Sequence, residues 1–444
     1  MDIINDRLSG LGLFLPEILL PRAALDLEKW AVIACDQYTQ DRGYWERVKD
    51  FIAKEPSTLN LIFPEVYLGE ENQSQRINNI HETMNNYLNE SVFAVPRTGC
   101  VFIERNTPYN TKRRGLVIAV DLERYDWKDN AGHLIRCTEG TVPERLPPRM
   151  DIRRNAALET SHILLLIDDV QDKLLAGLAK KAKQRQADYR STLMQDSGDI
   201  NGWFLDSIDD WKFIADELEV LYHKAGSRYE NKGQDAEPFL FAAGDGNHSL
   251  ATAKEIWEEY KKNYKANEHA AGKPTAGLSS ENNTAQNPDS LPIHPCRYAL
   301  AEIENLYDPA IKFEPIHRVI FDADPAEILS ALAQAKDIRC IQESSRVIRI
   351  ENLSPIIATA GIQPLLDKFT KEKGLETDYI HGKAEVLRIA ENKERKAVGL
   401  ILPPVKKEDL FKTVAKSGPL PRKSFSVGEA CEKRFYLECR KLFG

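Results

Sequence analysis

Pro238-Phe239-Leu240-Phe241-Ala242-Ala243-Gly244-Asp245-Gly246-Asn247-His248-Ser249-Leu250 is a short apolar run that breaks on a polar, glycine-flanked turn and passes into an amphipathic segment. The run is too short for a buried helix, so it predicts a central strand. Leu250, Ala253, Ile256, Trp257 and Tyr260 then fall on one face of a helix. Strand, turn and helix in this order aim backbone N–H groups and a helix N-terminus at the strand end, a geometry suited to an anion. Gly244 and Gly246 permit positive φ and close backbone approach, and Asn247 or Ser249 supplies a cap. Asp245 and His248 add a carboxylate that can hold Mg²⁺ or take a proton and an imidazole that can donate to a phosphate. A merely well-capped turn would use the same residues. A dinucleotide-binding reading fails, because Ser249 stands at the third glycine and a polar stretch follows the helix. No Walker A sequence occurs.

Working outward, Trp30–Ala34, Ser91–Val95, Gly99–Glu104, Arg114–Leu122, Ser161–Asp168 and Arg297–Glu304 predict strands. Helices are predicted over Tyr44–Ile52, Arg76–Leu88, Leu174–Ala187 and Trp211–Lys224. Lys261 to Pro292 is rich in Lys, Asn, Ser, Gly and Thr and reads as an exposed, mobile insertion. Beyond it, strands at His317–Phe321, Val347–Glu351 and Ala397–Leu402 alternate with helices at Pro325–Lys336 and Ile362–Lys373. The expected fold class is α/β (α+β), with mixed sheets and packed helices. The expected division is an N-terminal α/β domain at 1–160, a core domain at 161–322 carrying the Gly244–Ser249 turn and the insertion at 261–292, and a C-terminal α/β domain at 323–444.

With 444 residues the chain exceeds one ordinary core, and 42% hydrophobic with 29% charged residues is a globular composition. A net charge of −8 disfavours a general nucleic-acid binder, which needs a basic face. Seven cysteines, an odd number without a C-x-x-C pair, argue against a disulfide framework or a zinc knuckle. No Cys–His pairing is evident either, so thiol chemistry is not expected. The acidic start at Asp2 has no signal-peptide pattern and no apolar run is long enough to span a bilayer, so a cytoplasmic location is expected.

Other stretches concentrate polar chemistry. Glu144 to Arg154 places Arg145, Arg149, Arg153 and Arg154 beside Pro147 and Pro148, an array that could grip phosphate oxygens bidentately or simply form a solvated basic face. Glu139 just before it is a candidate general base. Asp36 and Tyr38 follow a buried strand, where substrate contacts are frequent and ordinary turns equally so. His317-Arg318 opens another strand. His162 reads as ordinary.

Five stretches carry a resemblance: Asp245-Gly246-Asn247-His248, Cys35-Asp36-Gln37-Tyr38, Thr138-Glu139-Gly140-Thr141, Pro315-Ile316-His317-Arg318 and Leu402-Pro403-Pro404-Val405. Over most of its length the chain resembles the bacterial family called domain of unknown function 1015, whose usual D-G-H-H-R turn is altered here at Asn247 and Ser249. The resemblance implies a ParB/sulfiredoxin-like core module, distantly similar to kinases of free serine, and implies substrate contacts for His317 and Arg318. The expectation is a nucleotide-dependent phosphotransferase acting on a small hydroxylated metabolite such as a serine-like amino acid. Asp245 would hold Mg²⁺ and a nucleoside di- or triphosphate would be the cosubstrate. Gly244, Gly246, Asn247, Ser249 and the four arginines would bind phosphate, His248 would stabilise the transferring group, Glu139 would act as base, and Asp36 and Tyr38 would contact the substrate. A phosphatase and a non-enzymatic nucleotide-binding switch are the alternatives.

Overall fold

The computed structural model describes residues 2–110, 112–128, 132–229, 236–270, 294–355, 357–392 and 395–443. Its larger sheet has nine strands. Eight run in the order Tyr189–Thr192, Asp199–Leu205, Cys100–Asn106, Arg113–Asp121, Tyr298–Asn305, Ile163–Ile167, Phe241–Asp245 and Ile135–Cys137, and Leu13–Phe14 adds to Arg113–Asp121. Neighbours are antiparallel except at two places, where Tyr298–Asn305 runs parallel to Ile163–Ile167 and Phe241–Asp245 parallel to Ile135–Cys137. Strands from both sides of residue 160 therefore share one sheet. The central strands are buried on both faces, which is why they read as continuous apolar runs.

Helices cover this sheet as their periodicity predicts. Arg42–Ile52 buries Tyr44, Trp45, Val48 and Ile52 on one face and is capped by Asp41, which accepts from the Tyr44 N–H. Ile208–Arg228 starts at Ser207, whose hydroxyl accepts from the Asp210 N–H. Three expectations differ. Trp30–Ala34 is a strand only at Val32–Ile33, because Trp30 closes the short helix Leu27–Trp30. Ser91–Val95 forms no strand, only an isolated bridge between Phe93 and Pro21. The polar insertion begins later than its composition suggests, because the helix Asn247–Ala270 runs into it: Lys261 bridges Glu123 and Glu258, ion pairs that hold a polar helix together. The rest of the segment, 271–292, lies outside the described residues. Among those described, no helix is long and apolar enough to cross a membrane.

A second sheet orders Ile338–Ser344, Val347–Asn352, Ala397–Ile401, Phe313–Phe321 and Thr377–His381, with Phe425–Val427 paired to Phe313–Phe321. Its two faces have separate cores, as strand alternation requires: Ile320, Ile348 and Val398 pack under the helices Pro325–Leu332 and Ala358–Lys373, while Val319 and Val347 pack with Val386 of Lys383–Glu391. A third cluster, with Leu166, Phe239, Phe411 and Phe425, joins the two sheets.

The last segment returns to where the chain began. Phe435–Tyr436 pairs with Val32–Ile33 and Cys439–Lys441 with Leu158–Thr160. Arg105 and Arg113, on neighbouring strands of the large sheet, grip its backbone: Arg105 donates to the carbonyls of Glu432 (3.0 Å) and Lys433 (2.7 Å), and Arg113 to that of Glu432 (3.1 Å). Glu432 in turn accepts from Thr107 and Asn110, each at 2.6 Å. Leu437 is wholly buried in this closure. Leu437→Ala should cost roughly 2–5 kcal/mol, the range for a large-to-small change in a packed core. Urea unfolding would measure it, and a cost below ~1 kcal/mol would mean that the returning segment contributes little to the core.

Candidate functional site

Between the two sheets lies an open cleft of about 1100 Å³. Its floor is the Gly244–Ser249 turn. Gly246 has φ +72°, and a Cβ there would lie 3.0 Å from His162 Cδ2 and 3.1 Å from the Ile163 backbone; at Gly244 a Cβ would sit 2.7 Å from Leu166. Both glycines are thus required by close packing against the neighbouring strand, and the register slips between Ala243 and Asp245 to make the turn.

Asp245 is not a free carboxylate. One oxygen accepts from the Gly246 N–H (2.9 Å), the other from the Lys433 ammonium (2.9 Å). Burial disfavours its charge, but Lys433 and His162 more than compensate and hold its pKa below the usual range. The Mg²⁺ expected at Asp245 therefore meets an oxygen pair already occupied by a cationic side chain. Among the described residues no group of three His, Cys, Asp or Glu side chains could hold a metal ion.

Glu139 lines the same cleft. Burial pushes its carboxyl up to about 7, against the backbone N–H groups of Ser424 (3.2 Å) and Lys423, which stabilise the anion. The charge on Asp245 adds to the rise and Lys433 opposes it. His248 is the converse case: burial, then Arg149, Arg145 and Arg422, push it down to about 4, so the ring is neutral. Its Nε2 accepts from the Val142 N–H (3.2 Å), which leaves the proton on Nδ1, free to donate.

Of the four candidate arginines, two face the cleft. Arg145 and Arg149 line it, with Arg149 also paired to Glu65 and donating to the Arg145 carbonyl. Arg153 does not line the cleft but pairs with Glu159 beside it, and Arg154 bridges Asp151 and Glu259 at the surface. Asp36 lines the cleft, whereas Tyr38 stacks on Tyr44 at 3.8 Å and is not among the lining residues. His317 and Arg318, expected to contact substrate, are buried inside the second sheet. His317 accepts from the Leu402 N–H, and Arg318 donates to Gln363 (2.8 Å) and the Lys423 carbonyl (3.0 Å). Arg318 thereby holds the loop that carries Lys423 and Ser424 to Glu139.

Four functional candidates are absent from the sequence reading. Lys433 holds Asp245, Lys423 lines the cleft, Arg422 adds positive charge near His248, and His162 sits beside Asp36. Burial alone would lower the His162 pKa, but Asp36, the Cys35 thiol and Asp245 raise it to about 10, so this histidine is charged. Its Nδ1 shares a hydrogen bond with the Tyr436 hydroxyl, and the Cys35 thiol lies close enough to contribute to that rise. A basic stretch set among prolines, Pro419-Leu420-Pro421-Arg422-Lys423, was a readable signal of the same kind as Arg145–Arg149. Lys433 and His162 carry none.

The chain matches, over residues 19–410, the family described as "Protein of unknown function (DUF1015)". No curated protein matches in sequence. Among solved structures, a mutant free serine kinase bound to AMP is similar with a TM-score of 0.34 and 10% identity, covering 72% of this chain and 90% of that one. A free serine kinase mutant bound to ADP gives 0.33 at 10% identity, with the same coverage of 72% and 90%. A conserved hypothetical protein from Pyrococcus furiosus gives 0.31 at 10%, covering 74% and 95%.

The raised Glu139 pKa has a thermodynamic sign. A carboxyl whose folded value exceeds its unfolded value stabilises the fold while protonated, and that contribution is lost as pH rises from the unfolded value through about 7. Glu139→Gln should therefore gain on the wild type between about pH 4 and pH 8, by on the order of 2–3 kcal/mol. Urea midpoints across that range would reveal it, and a pH-independent difference would contradict the assignment.

Proposed function

The chain belongs to the DUF1015 family, and for this member we propose that the cleft transfers a phosphoryl group between a nucleotide and a small hydroxylated metabolite. The observation that carries this reading is a carboxyl poised near neutrality, Glu139, in one cleft with the cationic rim of Arg145, Arg149 and Lys423. A proton acceptor of this kind suits an alcohol, and the rim suits a polyanion.

In this reading the phosphates lie across the Gly246–Ser249 turn, where the helix N-terminus presents its unpaired N–H groups. Arg145, Arg149 and Lys423 neutralise charge on the non-bridging oxygens, and His248, neutral and protonated on Nδ1, donates to the transferring group. Ionised Glu139 takes the proton of the acceptor hydroxyl as its oxygen bonds to phosphorus and the bond to the nucleotide oxygen breaks. The carboxyl then returns the proton to solvent. Lys433 stands on Asp245 where a cation was expected, so the ammonium supplies fixed positive charge and keeps the carboxylate from repelling phosphate. Magnesium enters this reading only as a counter-ion carried in by the nucleotide, with no step of the protein's own routed through it. Asp36 and charged His162, at the far side of the turn, orient the acceptor. Rate enhancement comes from positioning and charge neutralisation, as phosphoryl transfer requires.

The test is ³¹P NMR with nucleoside di- and triphosphates, Mg²⁺ and a pool of hydroxyl amino acids, serine among them. A new phosphomonoester resonance is expected. Glu139→Gln should slow its appearance by roughly 10²–10⁴-fold with nucleotide affinity retained, and Arg145→Ala should weaken nucleotide binding. Nucleotides left intact across the panel would overturn the reading. Release of phosphate from added phosphomonoesters would instead favour a phosphatase, and nucleotide binding without turnover a switch.

A further inference from the structure

Beside the phosphate-facing floor, the cleft opens into a side pocket of about 140 Å³. Leu61, Phe63, Met84, Ile152, Leu158 and Leu300 form its body, and all but Ile152 are buried. Glu65, Leu68, Arg149, His162 and Ser249 line both the pocket and the cleft, so the two spaces meet at a polar mouth. From this continuity we infer that the acceptor is amphipathic: it carries its hydroxyl in the cleft and an apolar arm, the size of a phenyl ring or a branched aliphatic chain, in the side pocket. The inference rests on the phosphotransfer reading for the hydroxyl, and on the pocket alone for the arm.

The size argument is direct. A space of ~150 Å³ beside aliphatic and aromatic side chains is large enough to take up a benzene ring. Serine has no group to place there and would leave this apolar wall uncovered. Most polar atoms near the wall already have partners, the buried Nε of Arg153 being the exception, so a nucleobase would find few. Glu159 has both carboxylate oxygens engaged, by the Leu300 N–H (2.9 Å) and Arg440 on one side and Arg153 on the other. Thr252 donates to the His248 carbonyl at 2.7 Å, the Tyr436 oxygen accepts from the Cys35 N–H at 2.9 Å, and Glu65 is paired with Arg149. A base, with a hydrogen-bonding edge, would lose water partners and regain few; a hydrocarbon loses nothing. The ion pair Glu65–Arg149 and charged His162 at the mouth fit the polar end of an amphipathic molecule, with the hydroxyl left facing the cleft.

The experiment compares serine with β-phenylserine, which adds a phenyl ring beside the same hydroxyl. Calorimetric titration of the whole chain, with ADP bound and without, reads binding independently of turnover. β-Phenylserine should bind roughly ten- to a hundredfold more tightly than serine, as burial of one aromatic ring predicts. Ile152→Phe, at the half-exposed wall where a larger side chain fits without disturbing the core, should abolish that preference while serine and ADP affinities stay unchanged. Met84→Ala, which enlarges the pocket, should preserve or extend the preference, and each variant's thermal melt establishes that it is folded. Equal affinity for the two compounds, or failure of β-phenylserine to bind, overturns the inference. So does loss of ADP affinity in Ile152→Phe, which would assign the pocket to the nucleobase. A preference for β-phenylserine with no phosphorylated product would leave the pocket assignment standing and remove the phosphotransfer reading.

Discussion

The contact on which the site depends is the ammonium of Lys433 against the carboxylate of Asp245. It joins the turn at the end of a sheet strand to a segment near the far end of the chain, and it does so because Arg105 and Arg113 hold the carbonyls on either side of Lys433. Those arginines are themselves deeply buried, with carboxylates beside them: Arg113 donates to Glu304 at 2.7 Å, and the charges of Glu302 and Glu304 partly offset the burial of Arg105. A layer of compensated charge inside the sheet thus fixes one lysine, and that lysine fixes the sign of the cleft floor.

The two carboxyls of the cleft show how environment divides identical chemistry. Both are buried. Asp245 has a cation and a backbone N–H on its oxygens and stays ionised; Glu139 has only backbone donors, feels the negative charge of Asp245, and rises to about 7. Separation of this kind between neighbouring titratable groups is what lets one act as a fixed charge while the other exchanges a proton. The histidines divide the same way, with His162 charged beside Asp36 and His248 neutral among arginines.

The strands and helices that build the floor were legible because their signals are local. Phe239–Ala243 is a buried run, the Gly-x-Gly break is a turn, and the Leu250–Tyr260 face is helical. The candidate site was legible only where residue types cluster in sequence. The turn at 244–249, Glu139 and the Arg145–Arg149 stretch announced themselves; Lys433 and His162 did not, since a lysine and a histidine gain meaning only from partners 188 and 126 residues away, at Asp245 and Asp36. His317-Arg318 erred in the other direction. A polar pair opening a strand looks like a ligand contact, but the strand lies inside the second sheet, and the guanidinium serves the backbone of the loop beside Glu139. Arg153 and Arg154 show the same limit: one helical turn past Arg149, Arg153 reaches Glu159 beside the cleft rather than the cleft itself, and Arg154, just past the helix, pairs at the surface.

The separation between Asp245 and Lys433 also sets an order of events in synthesis. A ribosome adding about 5–20 residues per second takes roughly 10 to 40 s to cover it. Throughout that interval the nascent chain carries the strand, the turn and the arginine stretch, yet its floor carboxylate is bare and Arg105 and Arg113 have no carbonyls to grip. A half-made copy therefore has a cleft of the wrong charge and no rim at 422–423. The cleft takes on its final charge only once the returning segment has docked, so the site is completed in one late step.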